Sequence, residues 1–328
     1  MRTIRLLSGL ALACWPLAAP SAATAQGARY ALIVQGASGE DQYAVQHRRW
    51  VDSLAGVLRD RFRYDASHLF VLAEKPAAGE QPATAESVRA AAARLAKAMT
   101  PSDQLAVFLI GHGSGQGSDL KFNLVGRDLT IDEWAAALAP IPGRLAFVNT
   151  TSASFPFIEG LAGPGRVIIT ATNSAAQRYH TVFPESFIAA LTADDADVDK
   201  NGRISLFEAF TYATRMVAQH YERLGDNIMA TEHAAFDDDG DGKARTAAAE
   251  GSDGNVAGLT YLDVPVVAES SDPETQKLLA RQQALTEQVD DLRRRQGSMP
   301  AAEFDSQLEK LLTELAIVSR DIRQRTGK

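Results

Sequence analysis

Short apolar runs that end abruptly at small or polar residues recur through the first half of the chain. They lie at 30–34, 68–72, 105–110, 145–148 and 166–171. Strands that are buried on both faces of a parallel sheet have this continuous apolar character. Between the runs, apolar residues recur at helical spacing. The alternation predicts an α/β domain over residues 26–192, with a mostly parallel sheet covered by helices on both faces.

Three helices of this domain have recognisable starts or faces. Thr84 is expected to cap one of them, and Thr130 with Glu133 has the spacing of a capping box for another. The helix after the first strand is expected to bury one apolar face. That face would contain Val45, Trp50, Leu54, Val57 and Leu58.

From Pro184 onward the pattern changes to helices separated by acidic loops, which predicts a helical segment over 193–265. Residues 271–326 are then expected to form a helical hairpin. Its second helix carries a heptad seam of Phe304, Leu308, Leu311, Leu315, Val318 and Ile322. This seam suits either an antiparallel pair that packs on itself or an arm that forms a homodimer.

The first residues have the organisation of a secretory signal peptide. Arg2 and Arg5 precede an apolar stretch, and Ala23-Thr24-Ala25 offers a cleavage site. We therefore expect residues 1–25 to be removed and the protein to be secreted or periplasmic, although Cys14 leaves a lipoprotein anchor as a weaker alternative. No later stretch suits a transmembrane segment.

Composition narrows the chemistry of the mature protein. The chain of 328 residues has a net charge of −8, which argues against nucleic acid as its main partner. Cys14 is the only cysteine and lies inside the predicted signal peptide. After cleavage the protein would have neither a disulfide nor a thiolate.

Two of the apolar runs end in residues that suit acyl-transfer chemistry. One run is followed by Gly111-His112-Gly113-Ser114, and the other by Asn149-Thr150-Thr151-Ser152. Neighbouring parallel strands bring their carboxyl ends together. A covalent hydrolase needs a nucleophile, a base and backbone N–H donors at one such place.

Between Ala28 and Leu191 the chain resembles the legumain-type cysteine peptidases, which have a caspase-like fold. The resemblance rests on Gly111-His112-Gly113-Ser114 and on the segment 148–154, with a capped helix between them. It implies that His112 is the general base and that Gly113 contributes to the oxyanion hole. Thr151 stands at the place of the nucleophilic cysteine, and Asn149 stands where the family has an acidic residue.

Threonine is a poor substitute for the nucleophile, because its hydroxyl is far less acidic than a thiol and its methyl group restricts χ1. The favoured hypothesis is therefore a catalytically inactive pseudopeptidase that binds a peptide or protein ligand, or serves only as a scaffold. The alternatives are an active peptidase that uses Thr151 or a nearby serine with His112, and a His112 that is merely packed at a strand end.

The other five histidines give weaker signals. His180 either lines the cleft or lies in solvent. The remaining four lack the sequence spacing of metal ligands and are interpreted as structural: His47, His68, His220 and His233.

Residues 197–208 match the calcium loop of an EF-hand at each diagnostic position. Oxygen donors alternate along the loop, a glycine stands at position 6 and a glutamate closes it. The expected Ca²⁺ ligands are Asp197, Asp199, Asn201, the carbonyl of Arg203, Ser205 and Glu208.

A second acidic loop repeats only the first half of this pattern. Asp237, Asp239 and Asp241 have the spacing of calcium ligands, but Ala248 stands where the closing carboxylate belongs. The site would be incomplete unless Glu250 reaches into it. We expect weaker Ca²⁺ binding at this loop, if it binds calcium.

Overall fold

The computed structural model describes residues 27–115, 119–225, 228–247, 253–264, 270–296 and 299–326. The predicted signal peptide, Ala248 and Glu250 lie outside these ranges.

A seven-stranded sheet forms the centre of the fold, in the order β3-β2-β1-β4-β7-β8-β9. Its strands are β1 (Arg29–Gln35), β2 (Leu69–Ala73), β3 (Gln81–Pro82), β4 (Gln104–Ile110), β7 (Arg144–Asn149), β8 (Arg166–Thr170) and β9 (Ala235–Asp237). All neighbours are parallel except β8 and β9. A separate two-stranded ribbon pairs β5 (Gly113–Ser114) with β6 (Lys121–Phe122). The predicted mostly parallel sheet is confirmed.

The helices cover both faces of the sheet. They are α1 (Asp41–Gly56), α2 (Ala85–Ala98), α3 (Ile131–Leu138), α4 (Phe157–Leu161), α5 (Phe183–Ala190), α6 (Leu206–Leu224), α7 (Pro273–Arg294) and α8 (Ala301–Thr326). Successive β1 residues face opposite sides, as pleating requires. Ala31 and Ile33 pack in the core with α1, α5 and α6, whereas Leu32 and Val34 pack with α2, α3 and α4. The α/β class with helices on both faces is therefore confirmed.

The expected caps are present. The Thr84 side chain accepts the backbone N–H of Ser87, and Thr130 with Glu133 forms a complete capping box. The first helix differs from the prediction at Val45, which is 73% exposed, whereas Trp50 and Leu54 are buried. Five helical positions rotate Val45 by roughly 140° from Trp50, which takes it off the buried stripe.

The segment 193–265 is not purely helical. It contains α6, but it also supplies β9, which pairs antiparallel with β8 through Ala235 and Thr170. This segment therefore contributes a strand to the sheet. The antiparallel edge strand brings the second acidic loop, which begins at Asp237, directly to the edge of the sheet.

The two C-terminal helices form the expected hairpin. Leu285, Val289 and Leu292 of α7 and Phe304 and Val318 of α8 are buried. A hydrogen bond of 2.9 Å from the Gln282 amide to the Ser319 hydroxyl joins the two helices. The Arg294 guanidinium donates to the Leu259 carbonyl at 2.9 Å, so the hairpin also contacts the body of the chain. In the described part of the chain, no helix has the length and apolarity needed to cross a bilayer.

Candidate active site and metal sites

The ends of β4 and β7 lie side by side, as the sequence predicts. Leu109 pairs with Asn149, and the Thr150 backbone N–H donates to the Leu109 carbonyl at 3.0 Å. Gly113 then passes very close to the second strand end. A Cβ at Gly113 would lie 2.0 Å from the Ser152 carbonyl oxygen, so this approach requires glycine.

Thr151 is enclosed at this strand end. It is 0% exposed, and its hydroxyl donates to the Asn149 side-chain oxygen at 2.7 Å. The same oxygen accepts the Thr151 backbone N–H at 3.1 Å. None of the hydrogen bonds found among the described residues joins Thr151 to His112. The Thr151 hydroxyl, at the position of the nucleophile, is therefore hydrogen-bonded to the Asn149 side chain and not to a base.

The backbone N–H of Gly113, which is expected to contribute to the oxyanion hole, already has a hydrogen-bond partner. The Gly113 N–H donates to the Ser152 hydroxyl at 3.3 Å, and that hydroxyl donates to the Gly113 carbonyl at 3.1 Å. The other nearby serine, Ser154, is buried and its hydroxyl lies 3.0 Å from that of Thr172. Each of these hydroxyls thus has a partner other than His112.

His112 points into a group of aromatic rings instead. Its ring centroid lies 4.9 Å from that of His47, 5.6 Å from His180 and 4.8 Å from Tyr43. A ring nitrogen from each of the three histidines lies within 4.8 Å of the others. His180 is half-buried, which favours the cleft-lining alternative over a position in solvent.

Burial strongly depresses the pKa values of this histidine cluster. It lowers the pKa of His47 to about 3 and that of His180 to about 4, with the neighbouring imidazoles adding to the effect. Burial also lowers the pKa of His112, although the Ser38 carbonyl and the Glu40 charge oppose it. These shifts favour the neutral form of each ring. A neutral imidazole can accept a proton or bind a metal through its free lone pair.

Sequence reasoning missed this cluster because its members come from three separate elements. His47 lies on α1, His112 follows β4, and His180 precedes α5. One signal was present for His47, since it shares the buried helical stripe with Trp50, Val51 and Leu54. A polar ring at such a position needs a partner.

The first acidic loop gathers its oxygen donors. Carboxylate oxygens of Asp197, Asp199 and Glu208 lie within 4.8 Å of one another. Gly202 adopts φ 82°, which is the left-handed conformation that the sharp turn requires. Asp197 accepts the Gly202 N–H at 3.0 Å and the Asn201 N–H at 3.1 Å.

The other expected ligands of this loop also make contacts of their own. The Asn201 side-chain oxygen accepts the Arg203 N–H at 2.8 Å. The Arg203 guanidinium binds Asp263 at 2.8 Å, which leaves its carbonyl as the group offered to the loop. Glu208 forms a capping box with Ser205 and also accepts the Val198 N–H at 2.8 Å. These hard oxygen donors fit Ca²⁺, which would replace some of the N–H partners of Glu208.

Asp253 lies near the second acidic loop, which the sequence did not reveal. Carboxylate oxygens of Asp237, Asp239 and Asp241 lie within 4.8 Å of one another. The Arg245 guanidinium bridges Asp241 at 3.2 Å and Asp253 at 2.9 Å. The side chain of Asp253 is 0% exposed.

Asp253 is a buried carboxylate beside this loop. Arg245 is its ion-pair partner, and Asp238 supplies hydrogen bonds that favour its charged form. Burial raises the pKa of Asp253, and the nearby charge of Asp239 raises it further. Asp253 lies 16 positions after Asp237, outside the EF-hand spacing, so the loop pattern gave no sign of it.

The comparisons with known proteins add little. No family model matches the chain, and no curated protein matches it. Among solved structures, a Geobacter sulfurreducens protein is 14% identical with a TM-score of 0.42, covering 64% of this chain and 92% of its own. Caspase-1 from Spodoptera frugiperda is 12% identical with a TM-score of 0.43, covering 69% and 95%. At these TM-scores neither likeness carries an argument about family or function.

Proposed function

We propose that this protein is an exported, calcium-binding relative of the legumain-type cysteine peptidases, with a caspase-like domain that has no peptidase activity. It would act by binding a peptide or protein ligand, or as a scaffold. The observation that carries the proposal is the hydrogen bond from the buried Thr151 hydroxyl to Asn149, at 2.7 Å.

A hydroxyl nucleophile must transfer its proton to a base as it attacks. The Thr151 proton lies toward an amide oxygen, which is not a base at physiological pH, and His112 faces His47 and Tyr43 instead. Thr151 is also inaccessible to substrate, since it is 0% exposed. Activity would require Thr151 to leave Asn149 and His112 to leave its ring cluster.

Calcium would serve structure in this proposal. Asp197, Asp199, Asn201, Ser205, Glu208 and the Arg203 carbonyl would hold one ion at the start of α6. Asp237, Asp239, Asp241 and Asp253 would hold a second ion beside β9. Each ion would neutralise carboxylates that repel one another and would fix the conformation of its loop. An exported protein that meets millimolar calcium needs only modest affinity.

The proposed location and partners follow from the sequence. The leader at 1–25 and the acidic surface suit a secreted or periplasmic protein that does not bind nucleic acid. A homodimer through the hairpin is a weaker proposal. The buried apolar residues of the hairpin include Leu285, Val289, Leu292, Phe304 and Val318, and its exposed large apolar side chains in the described residues are Leu312 and Ile317.

A peptide-library digest with the purified mature protein in calcium tests the proposal. We expect no cleavage and no covalent adduct with acylating or electrophilic peptide probes. The comparison variants are Thr151→Val, which removes the hydroxyl but keeps the shape, and Thr192→Val as a matched change elsewhere. Cleavage by the natural protein that Thr151→Val abolishes and Thr192→Val leaves intact would overturn the proposal in favour of a threonine peptidase.

A further inference from the structure

Three histidines from separate parts of the chain converge beside the β4 strand end. Nitrogens of His47, His112 and His180 lie within 4.8 Å of one another. Three nitrogens around one zinc ion lie roughly 3.3 Å apart, given Zn–N distances of about 2.0–2.1 Å. Small rotations of the rings would therefore bring all three nitrogens onto one ion.

Two of these rings have a nitrogen atom without a hydrogen-bond partner among the described residues. His47 is 0% exposed, and its Nε2 has no hydrogen-bond partner. The Nδ1 atom of His180 is likewise buried without a partner. A buried polar atom without a partner costs free energy, and an unseen ion is one established reason for finding it in a native structure.

The surroundings also suit a bound ion. The Ser38 hydroxyl lies 3.0 Å from Nδ1 of His47, which fixes the ring and leaves Nε2 for a ligand. Such an outer partner is typical of histidines that bind metals. Trp50 stacks on His180, with centroids 5.8 Å apart and planes 7° apart. His112 and His180 are only half-buried, so an ion can enter from their side.

We infer that His47, His112 and His180 form a binding site for a divalent transition metal of the zinc class. Neutral imidazole nitrogens suit zinc, copper or nickel, whereas calcium and magnesium select oxygen donors. Three protein ligands leave one coordination position open for water or another ligand. The site shares no residue with the acidic loops and does not depend on the proposed pseudopeptidase function.

Zinc titration of the full mature protein, with calcium held in excess to fill the acidic loops, tests the site. After treatment with a transition-metal chelator, the protein should bind one equivalent of zinc and melt at a higher temperature. Cobalt should bind at the same place and give the visible ligand-field bands of a nitrogen-ligated ion.

The variants His180→Gln and His47→Gln should each weaken zinc binding at least tenfold. Ser38→Ala should weaken it about tenfold through the lost outer partner. His220→Gln, on the far part of α6, should bind zinc as the natural protein does. His180 is half-buried, so its replacement should disturb folding less than that of His47. The melting transition of each variant without added metal reports whether it is folded.

Three results would overturn the inference: no zinc bound by the natural protein, binding unchanged in both His47→Gln and His180→Gln, or equal loss in His220→Gln. The three rings would then be a neutral aromatic cluster. None of these results would affect the calcium response or the peptide digest, so failure here is distinguishable from failure of the proposed function.

Discussion

The Glu232 carboxylate accepts the backbone N–H of Phe183 at 3.1 Å, at the first turn of α5. It also accepts the Val182 N–H at 2.7 Å and lies 3.2 Å from the Tyr221 hydroxyl, which donates to it. The residue is 2% exposed. Burial is the largest effect on it and raises its pKa to about 7, although its hydrogen bonds oppose the shift.

This raised pKa predicts that Glu232 destabilises the folded protein as pH rises. The folded state holds the proton more tightly than the unfolded state, whose glutamate titrates near 4.5. The contribution is therefore fully favourable below about pH 4.5 and is lost as pH rises through about 7, by an amount on the order of 3 kcal/mol.

Denaturant unfolding at several pH values, for the natural protein and Glu232→Gln, checks this prediction. Contributions from the histidines are the same in both proteins and cancel in the difference of their free energies of unfolding. That difference should therefore change across pH 4.5–7, where Glu232 titrates. A difference that stays constant with pH would show that Glu232 is not the titrating group.

The first acidic loop should make stability depend on calcium. A ligand at one hundred times its dissociation constant stabilises the folded state by about 2.7 kcal/mol. Asp199→Ala should remove most of this effect, and Asp194→Ala, an exposed acid just outside the loop, should leave it unchanged. Asp199 is a cleaner test than Glu208, which also caps α6.

Melting curves with calcium and with a chelator measure these effects. Equal melting temperatures in the two conditions for the natural protein would contradict calcium binding altogether. A calcium response that Asp199→Ala leaves intact would contradict this loop as the site.

Asp253 should complete the second loop. In the Asp199→Ala background a smaller calcium response should remain, since Asp237, Asp239 and Asp241 are unchanged. Adding Asp253→Asn keeps the side-chain size and removes the charge, so this residual response should disappear. Calorimetric titration of the single and double variants checks the prediction, which fails if both bind calcium equally.

Gly113 should be intolerant of a side chain. Its Cβ would meet the Ser152 carbonyl oxygen at 2.0 Å, so Gly113→Ala should destabilise the protein by about 1–3 kcal/mol. At Gly258 nothing lies within 4 Å of the added carbon, so Gly258→Ala should be close to neutral. Chemical denaturation of both variants compares them, and equal stabilities would show that the two strand ends are not so close.

The hairpin should keep the protein monomeric. Leu285, Val289 and Leu292 of α7 are already buried, and the large apolar side chains that α8 exposes are Leu312 and Ile317, which is little apolar surface for a second copy. Light scattering over a range of concentrations should give the monomer mass. A dimer mass that falls to the monomer on truncation at Ser271 would instead support the dimerisation arm.

The sequence by itself determined the five central strands of the sheet, the starts of α2 and α3 and the pattern of the first acidic loop. Apolar runs such as 105–110 are buried for their whole length, and the capping box at Thr130 is a local pattern that fixes a helix start without distant contacts. The pattern of the first acidic loop is equally local, because its expected ligands all lie between Asp197 and Glu208.

Tertiary structure alone decided which residues meet across elements. Asp253 pairs with Arg245 beside the second loop, 12 positions beyond Asp241, and the three clustered histidines come from α1, the chain after β4 and the chain before α5. Gly113 meets Ser152 across the ends of β4 and β7, 39 positions apart. Such contacts depend on how separate elements pack, and no spacing along the chain records them.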